Sequence, residues 1–502
     1  MHFSALRFRS HSLLILFAVC IFLALAVGSS LTHRPQIDEG LFASPALNLA
    51  NSGQMGTTVL EIEGSPLTRI NERTYWVMPL FLLNAAASFE VFGFSLLAMR
   101  LVSVFWGCLL IFSLYFISTK LSENKNIGLL CAFLVACNYT VLDTASSGRM
   151  DMMCASLGFA AIAVYLLLRE RNLTYAVFSS QFLVVCAGLT HPNGILAFFG
   201  LIFLTLYFDF RRLRFQHIAV ALAPYLIGGA GFGAYILQDP IAYRDQFTDQ
   251  FLMGGRAKGF SSPLSGFIRE FTERYPHAYG LGANSGGHSG PIYLKSLILI
   301  GYLLGVLGVI FTKSLRHNRN YRALLWMTAI YFAVMALIDG QKQTPYLIHI
   351  VPFYCVLLAL WINWIWENRK APVFVPAVGL CLLLALQTGG MVLRIKQNTY
   401  ANVYQPTIDY LKQHALPEDT IMGGAELGFG LQFPENFVND ARFGYLTGKR
   451  PKFIVMDDAT HSAWESSKEF APELYEYIPL LLKENYTLAY ENAAYKIYVR
   501  RW

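Results

Sequence analysis

The chain has 502 residues, of which 55% are hydrophobic and only 14% are charged. A soluble protein of this length normally carries about a quarter charged residues, so the composition excludes an ordinary soluble enzyme. The formal charge of +7 does not indicate nucleic-acid binding, because the Lys and Arg residues cluster in short loops between apolar blocks instead of lining one face.

Eleven apolar blocks of about twenty residues follow one another, and each is long enough to cross a ~30 Å hydrocarbon core. We therefore predict a mainly α-helical, polytopic membrane protein. Because Ser29-Ser30-Leu31 is a poor match to a signal-peptide cleavage site, the first block is expected to remain as a helix. The predicted spans are 12–31, 97–118, 126–142, 151–168, 174–190, 193–208, 217–237, 292–312, 321–338, 345–366 and 372–391.

The charges of the loops predict the orientation. With a cytoplasmic N-terminus, the basic loops all fall on the inner side, as the positive-inside rule requires. This assignment holds only if a shorter apolar segment, 75–92, does not cross, so we predict an interfacial helix there. The basic residues of the inner loops are Lys120, Lys125, Arg169, Arg171, Arg211, Arg212, Arg214, Lys313, Arg316, Arg319, Arg369 and Lys370.

This orientation places three large pieces of chain outside the cytoplasm: loop 32–96, loop 238–291 and tail 392–502. The second loop contains a glycine-rich run from Gly280 to Gly290, which fits a mobile lid and a solvated linker equally well.

The tail differs in composition from the rest of the chain. We expect a transmembrane domain over 1–391 and a small extracytoplasmic α/β domain over 392–502. Its periodicity predicts a helix at 407–414 and strands at 420–422, 452–456 and 494–499.

Ionisable residues concentrate at the predicted outer ends of the spans, where such groups are costly and usually functional or paired. A lipid-phosphate substrate needs cations for its phosphate and a carboxylate to take a proton from an attacking hydroxyl. The spacing of Lys342, Tyr346 and His349 predicts that these three share one helical face. The candidate residues are Asp38, Glu39, Arg149, Asp151, His191, Lys342, Tyr346 and His349.

Each candidate also has a structural interpretation. Asp38 and Glu39 fit a charge pair at a helix N-terminus as well as a catalytic site. Arg149 and Asp151 could pair only with each other, and Lys342 alone is typical of an interfacial anchor. The functional interpretation depends on all of these groups meeting at one membrane surface.

The order of several short motifs resembles the dolichyl-phosphate-mannose protein mannosyltransferase family, whose bacterial relatives include the lipid A aminoarabinose transferase. The resemblance covers about residues 10–370. The matching motifs are Asp38-Glu39, Met78-Pro79-Leu80-Phe81, Phe92-Gly93-Phe94, Met99-Arg100-Leu101-Val102-Ser103, Arg149-Met150-Asp151, Gly188-Leu189-Thr190, and Tyr346-Leu347 through Pro352.

The resemblance implies a C-type glycosyltransferase (GT-C) fold and an inverting transfer from a polyprenyl-phosphate sugar. Carried over by position, Asp38 would be the base and Glu39 its neighbour in an acceptor or metal site. Arg149 and Asp151 would line the same cavity, and Lys342 with His349 would face the donor phosphate.

The chain also departs from these relatives. The aminoarabinose transferases carry Lys-Pro-Pro where this chain has Val77-Met78-Pro79, so a phosphate-binding lysine is missing and Arg69 or Arg73 is the candidate substitute. The tail matches no part of the family.

The sequence therefore predicts an inverting transferase in a bacterial inner membrane. Its partners would be a polyprenyl-phosphate-linked sugar, membrane lipids and a glycan, lipid or protein acceptor. Asp38, Glu39 and Asp151 are candidate ligands of a divalent cation, Mg²⁺ or Mn²⁺. Two alternatives stay open: a transporter or flippase of a lipid-linked sugar, and a non-catalytic relative.

Overall fold

The computed structural model describes residues 2–63, 67–252, 261–281 and 293–501. Most of the glycine-rich run predicted as a lid or linker lies outside these residues. The helices that precede the second large loop are α1 (His2–Thr32), α2 (Ile37–Ser52), α3 (Pro79–Phe92), α4 (Leu96–Ser122), α5 (Lys125–Ala136), α6 (Tyr139–Ala145), α7 (Met150–Leu168), α8 (Leu173–Thr190), α9 (Gly194–Asp209) and α10 (Phe215–Ile236).

The second half of the bundle contains shorter elements among its long helices. A 3-10 turn spans Thr344–His349, and a π-helical turn, Glu270–Arg274, links two short helices. The helices are α11 (Pro240–Leu252), α12 (Pro263–Arg269), α13 (Tyr275–Ala278), α14 (Tyr293–Phe311), α15 (Lys313–His317), α16 (Arg319–Ile338), α17 (Val351–Glu367) and α18 (Phe374–Gln397).

The helices confirm a polytopic membrane protein. Nine helices in the described ranges are long and apolar enough to cross a membrane, and the bent pair α5–α6 makes a tenth. This pair bends by 59° and replaces the straight span predicted at 126–142. Asn138 explains the new start, because its side chain accepts a hydrogen bond from the Val141 N–H and caps α6.

The predicted span 345–366 is also divided. It consists of the 3-10 turn followed by the 17-residue α17, which covers about 26 Å at ~1.5 Å per residue. The 14-residue α3, at the place of the predicted interfacial helix, is shorter still at about 21 Å.

The tail forms a small α/β unit around a mixed sheet. The strand order is β2-β1-β3-β5-β4, with β1 parallel to β2 and β3, and β5 antiparallel to β3 and β4. The predicted boundary after residue 391 falls inside α18, which continues to Gln397. The elements are α19 (Gln405–His414), β1 (Ile421–Met422), α20 (Gly428–Leu431), β2 (Phe437–Val438), β3 (Phe453–Asp457), α21 (Asp458–Ser467), α22 (Pro472–Asn485), β4 (Tyr486–Glu491) and β5 (Tyr495–Arg500).

The tail packs directly on α2, the helix that carries Asp38 and Glu39. A Cβ atom at Gly40 would lie 2.2 Å from the backbone carbonyl carbon of Ala425, so only glycine permits this contact. Phe94, which lies between α3 and α4, stacks on Phe429 of the tail with ring centroids 5.7 Å apart. The C-terminal unit therefore helps to fix the position of α2.

Candidate functional site

Asp38 lies in the first turn of α2, where the positive end of the helix dipole stabilises a carboxylate. Its side chain is 45% exposed, and Oδ2 forms an ion pair with the guanidinium of Arg149. Within the ranges that the structure describes, Oδ1 makes no hydrogen bond or ion pair. Asp38 therefore keeps one carboxylate oxygen available to a ligand.

Glu39 is directed away from Asp38 and is completely buried. Its carboxylate accepts two hydrogen bonds from Arg100, both 2.7 Å long, and others from the N–H groups of Gly148 and Gln36. Burial alone would raise the pKa of Glu39, but the Arg100 guanidinium and these N–H donors hold it below its usual value. The carboxylate of Glu39 is therefore occupied by Arg100 and these N–H groups, and it is not open for the catalytic or metal-binding role that the sequence suggests.

Arg100 links the elements around Asp38. In addition to Glu39, its guanidinium donates hydrogen bonds to the carbonyl oxygens of Ser30, His33 and Arg34 at the end of α1. Arg100 lies within the motif Met99-Arg100-Leu101-Val102-Ser103, but the sequence pattern predicts no role for it. A buried arginine near the end of an apolar span is energetically costly and is usually paired. This cost could have identified Arg100 from the sequence as a residue with a buried partner.

Arg149 joins the carboxylates of Asp38 and Asp151. Its Nε donates a 2.9 Å hydrogen bond to Oδ2 of Asp151, while Nη1 pairs with Asp38. Asp151 has no exposed surface and lies in the first turn of α7. The structure therefore brings Asp38, Arg149 and Asp151 together, as the sequence predicts, with the cation between the carboxylates.

His191 and His349 lie near Asp151, and Tyr346 lies near His191 and Arg149. The His191 ring lies 5.1 Å from the Tyr346 ring, and both histidines are close enough to interact with the charge of Asp151. All three side chains are buried. These candidates therefore share one site with Arg149 and Asp151.

Two buried polar atoms in this group have no hydrogen-bond partner among the described residues, namely Oδ1 of Asp151 and Nε2 of His349. Asn193 adds Nδ2 as a third, while its N–H donates a hydrogen bond to Nδ1 of His191. Buried polar atoms are rarely left without a hydrogen-bond partner. Three such atoms in one group are therefore typical of a ligand site. Asn193 was missed because an asparagine beside a proline reads as a turn residue.

Lys342 belongs to a different set of contacts. Its Nζ lies 2.9 Å from Oε1 of Glu270 and 2.8 Å from the carbonyl oxygen of Ala336, and its side chain is 1% exposed. Glu270 also pairs with Arg274, which in turn pairs with Asp339. Lys342 is thus neutralised by a buried network and is not available to a donor phosphate.

The predicted helical face through Lys342, Tyr346 and His349 is wrong. Lys342 lies before the 3-10 turn in the left-handed region, with φ of +58°, so it is not on the same helix as the other two residues. Its side chain instead contacts Glu270 in the second large loop. Periodicity could not reveal this, because it assumes an uninterrupted helix.

Arg69 and Arg73, the candidate substitutes for the missing lysine, both bond to the start of the second large loop. Arg69 pairs with Asp239 at 2.9 Å, and Nε of Arg73 donates a 3.1 Å hydrogen bond to Gln238. These contacts tie loop 32–96 to the start of loop 238–291. The side-chain hydrogen bonds of Arg69 and Arg73 therefore go to loop 238–291 and not to Asp38 or Asp151.

The predicted metal ligands do not assemble in the described ranges, which contain no group of three or more His, Cys, Asp or Glu side chains placed to hold a metal ion. Arg149 lies between Asp38 and Asp151, where a cation would have to bind, and Glu39 is committed to Arg100. The residues present therefore do not fit the metal site that the sequence suggests.

Known structures match this chain over nearly its whole length. ArnT from Cupriavidus metallidurans, in a crystal structure bound to undecaprenyl phosphate, aligns with a TM-score of 0.59 at 16% identity, over 97% of each chain. AglB, the oligosaccharyltransferase of Archaeoglobus fulgidus, aligns in a complex with an inhibitory peptide and a dolichol-phosphate. The TM-score is 0.57 at 13% identity, over 98% of this chain and 74% of AglB.

A second structure of the Archaeoglobus fulgidus oligosaccharyltransferase, a complex with Zn and sulfate, aligns with a TM-score of 0.53 at 13% identity over 97% of this chain and 73% of that chain. A scan against protein-family models and a search of curated protein sequences give no match. At such low identities, the structural likeness establishes the fold. The chain is a multi-pass membrane protein with the GT-C fold that the sequence resemblance implied.

Proposed function

We propose that the protein is an inverting glycosyltransferase that moves a sugar from a polyprenyl-phosphate donor to a hydroxyl acceptor. The observation that carries this proposal is the group formed by Asp38, Arg149 and Asp151. A half-exposed carboxylate with an open oxygen lies next to a guanidinium that a second, buried carboxylate orients. This is the combination that hydroxyl activation beside a phosphate leaving group requires.

In the proposed reaction, Oδ1 of Asp38 accepts the proton of the acceptor hydroxyl as its oxygen attacks the anomeric carbon. The bond from that carbon to the phosphate oxygen breaks, and the electron pair leaves with the polyprenyl phosphate. Attack opposite the leaving group inverts the anomeric centre. Nη2 of Arg149, which forms no hydrogen bond with the described residues, donates to the departing phosphate in this proposal.

The unpaired atoms of Asp151, Asn193 and His349 supply the sugar contacts in this proposal. A sugar hydroxyl both donates and accepts hydrogen bonds, so it satisfies a carboxylate oxygen, an amide N–H and an imidazole nitrogen. Their burial keeps competing water away from the reacting carbon. The acceptor is a hydroxyl of a lipid, glycan or protein.

We place the protein in a bacterial inner membrane, and the loop charges favour a cytoplasmic N-terminus with Asp38 and the C-terminal unit outside. The lipid phosphates in the ArnT and AglB structures support the donor class, because both chains share this fold. Membrane lipids and the lipid-linked donor are the partners that this location provides.

The test is sugar transfer by the full chain in lipid nanodiscs supplied with undecaprenyl-phosphate sugars and cell-envelope acceptors. We expect Asp38→Asn to reduce the transfer rate by about 10²-fold or more, because it removes the base. Asp458→Asn is the matched control, since Asp458 is an exposed carboxylate that pairs with Arg34 instead of Arg149. A fully active Asp38→Asn would refute the assignment, and movement of the intact lipid-linked sugar without transfer would favour a transporter.

A further inference from the structure

A second charged group lies on the side of α6, at the end of the bundle that carries Asp38. It consists of Tyr139, Asp143, Lys295 and Arg394, and we call it the rim cluster. Its connection to the site is short, because the backbone carbonyl of Asp143 accepts hydrogen bonds from the hydroxyls of Ser146 and Ser147, which precede Gly148 and Arg149.

The antiparallel packing of α14 and α18 brings the two cations of the rim cluster together. Tyr302 on α14 donates a 3.1 Å hydrogen bond to Oε1 of Gln387 on α18. Lys295 and Arg394 each lie seven residues from this contact, in opposite chain directions, so they are level with each other. Nζ of Lys295 lies 4.9 Å from the centroid of the Tyr139 ring.

The rim cluster carries a surplus of positive charge. Arg394 pairs with Asp143, which leaves one carboxylate for two cations. Lys295 forms no ion pair or hydrogen bond with the described residues, and Nε of Arg394 is buried without a hydrogen-bond partner among them. By contrast, Lys342 and Arg274 are matched by Glu270 and Asp339, and Arg149 is outnumbered by Asp38 and Asp151.

The surroundings of the two cations are apolar and exposed. Leu294 and Leu297 on α14 are 42% and 51% exposed beside Lys295, and Leu393 on α18 is 62% exposed beside Arg394. On helices that cross a membrane, such side chains contact lipid acyl chains. An anion that approaches these cations from within the membrane must therefore be the headgroup of a lipid, because its path is lined by apolar side chains.

We propose that Lys295 and Arg394 bind the phosphate headgroup of a membrane lipid at this rim. The ammonium and guanidinium groups donate charge-assisted hydrogen bonds to the phosphate oxygens. The exposed leucines line the path of the lipid chain. This proposal does not depend on the transferase assignment, since it concerns groups that the proposed reaction does not use.

The test measures lipid binding to the full chain in detergent micelles by native mass spectrometry. The principal variant is Lys295→Gln, because it removes a cation without leaving a carboxylate unpaired. The double variant Arg394→Gln/Asp143→Asn removes the second cation together with its partner. Lys396→Gln is the matched control, since Lys396 is an exposed cation in the same last turn of α18.

We expect Lys295→Gln and the double variant each to weaken binding roughly tenfold, while Lys396→Gln stays within about twofold of wild type. Undecaprenyl phosphate and phosphatidylglycerol are separate probes, and the one whose binding depends on Lys295 identifies the occupant. Equal affinities for wild type and both variants would overturn the proposal. So would equal binding of undecaprenol, which lacks the phosphate, or of inorganic phosphate, which lacks the chain.

Discussion

The Asp38 group and the Lys342 network contain the same kinds of side chain, but they are completed in different ways. Lys342, Arg274, Glu270 and Asp339 form two positive and two negative charges, and each has an opposite charge within 3 Å. Asp38, Arg149 and Asp151 have one cation for two carboxylates, and Asp151 keeps an unpaired buried oxygen. The closed network leaves no unmatched charge for a ligand, whereas the incomplete group has an excess carboxylate and an unpaired oxygen that a ligand can satisfy.

The largest expected effect comes from opening the closed network. Glu270→Gln leaves Lys342 and Arg274 with one carboxylate between them, in a buried place. We expect the free energy of unfolding to fall by about 3–5 kcal/mol, measured by denaturation in mixed micelles. Glu270→Gln/Lys342→Met should recover much of this loss, because it removes one charge of each sign. Unchanged stability of Glu270→Gln would contradict the comparison.

The next effect comes from the incomplete group. Asp151→Asn removes the carboxylate that orients Arg149, so we expect transfer to slow on the order of a hundredfold. Stability should change little, because Arg149 keeps its pair with Asp38. Transfer rate and melting temperature are measured together. If Asp151→Asn unfolded the chain and left the transfer rate of the folded fraction intact, Asp151 would belong with the structural charges.

Glu426 extends the comparison to the C-terminal unit, because it is a buried carboxylate without a cation partner. Burial, together with the nearby charge of Asp457, raises its pKa to about 8 from a usual value of 4.5. The folded chain therefore holds this proton between about pH 4.5 and 8, while the unfolded chain has released it. This contribution makes stability fall as pH rises through that window, by about 1.4 kcal/mol per pH unit.

Glu426→Gln should flatten this part of the pH profile of the melting temperature, while Glu465→Gln, an exposed control, should not. Glu39 provides the opposite sign, because Arg100 lowers its pKa and its contribution is lost only at acid pH. A profile for Glu426→Gln that coincides with wild type would show that Glu426 is not held neutral.

The smallest effect is expected at Arg73, which bonds to Gln238 and remains partly exposed. Arg73→Gln should cost less than about 1 kcal/mol of stability, as for other surface pairs. The Michaelis constant for the donor should change less than about twofold. A large rise in that constant would assign Arg73 to the phosphate site and would extend the incomplete group to loop 32–96.

Much of the site was predictable, because the sequence places Asp38, Arg149, Asp151 and His191 next to predicted span ends. Hydropathy locates those ends, and loop charge assigns them to one side. The prediction that Lys342 faces the donor phosphate rested on the same criterion, its position beside a predicted span. The position of a residue beside a span predicts how deep its charge lies in the membrane. It does not predict which residue neutralises that charge.

The sequence by itself determined the membrane class, the helix order, the Asp38-Glu39 motif and three of the strands in the tail. These follow from length, periodicity and charge, which are local properties of the chain. Only the tertiary structure decided that Glu39 pairs with Arg100, that Lys342 pairs with Glu270, and that Lys295 lies level with Arg394. Such pairings join residues that are distant along the chain, and only the packing of the helices brings them together.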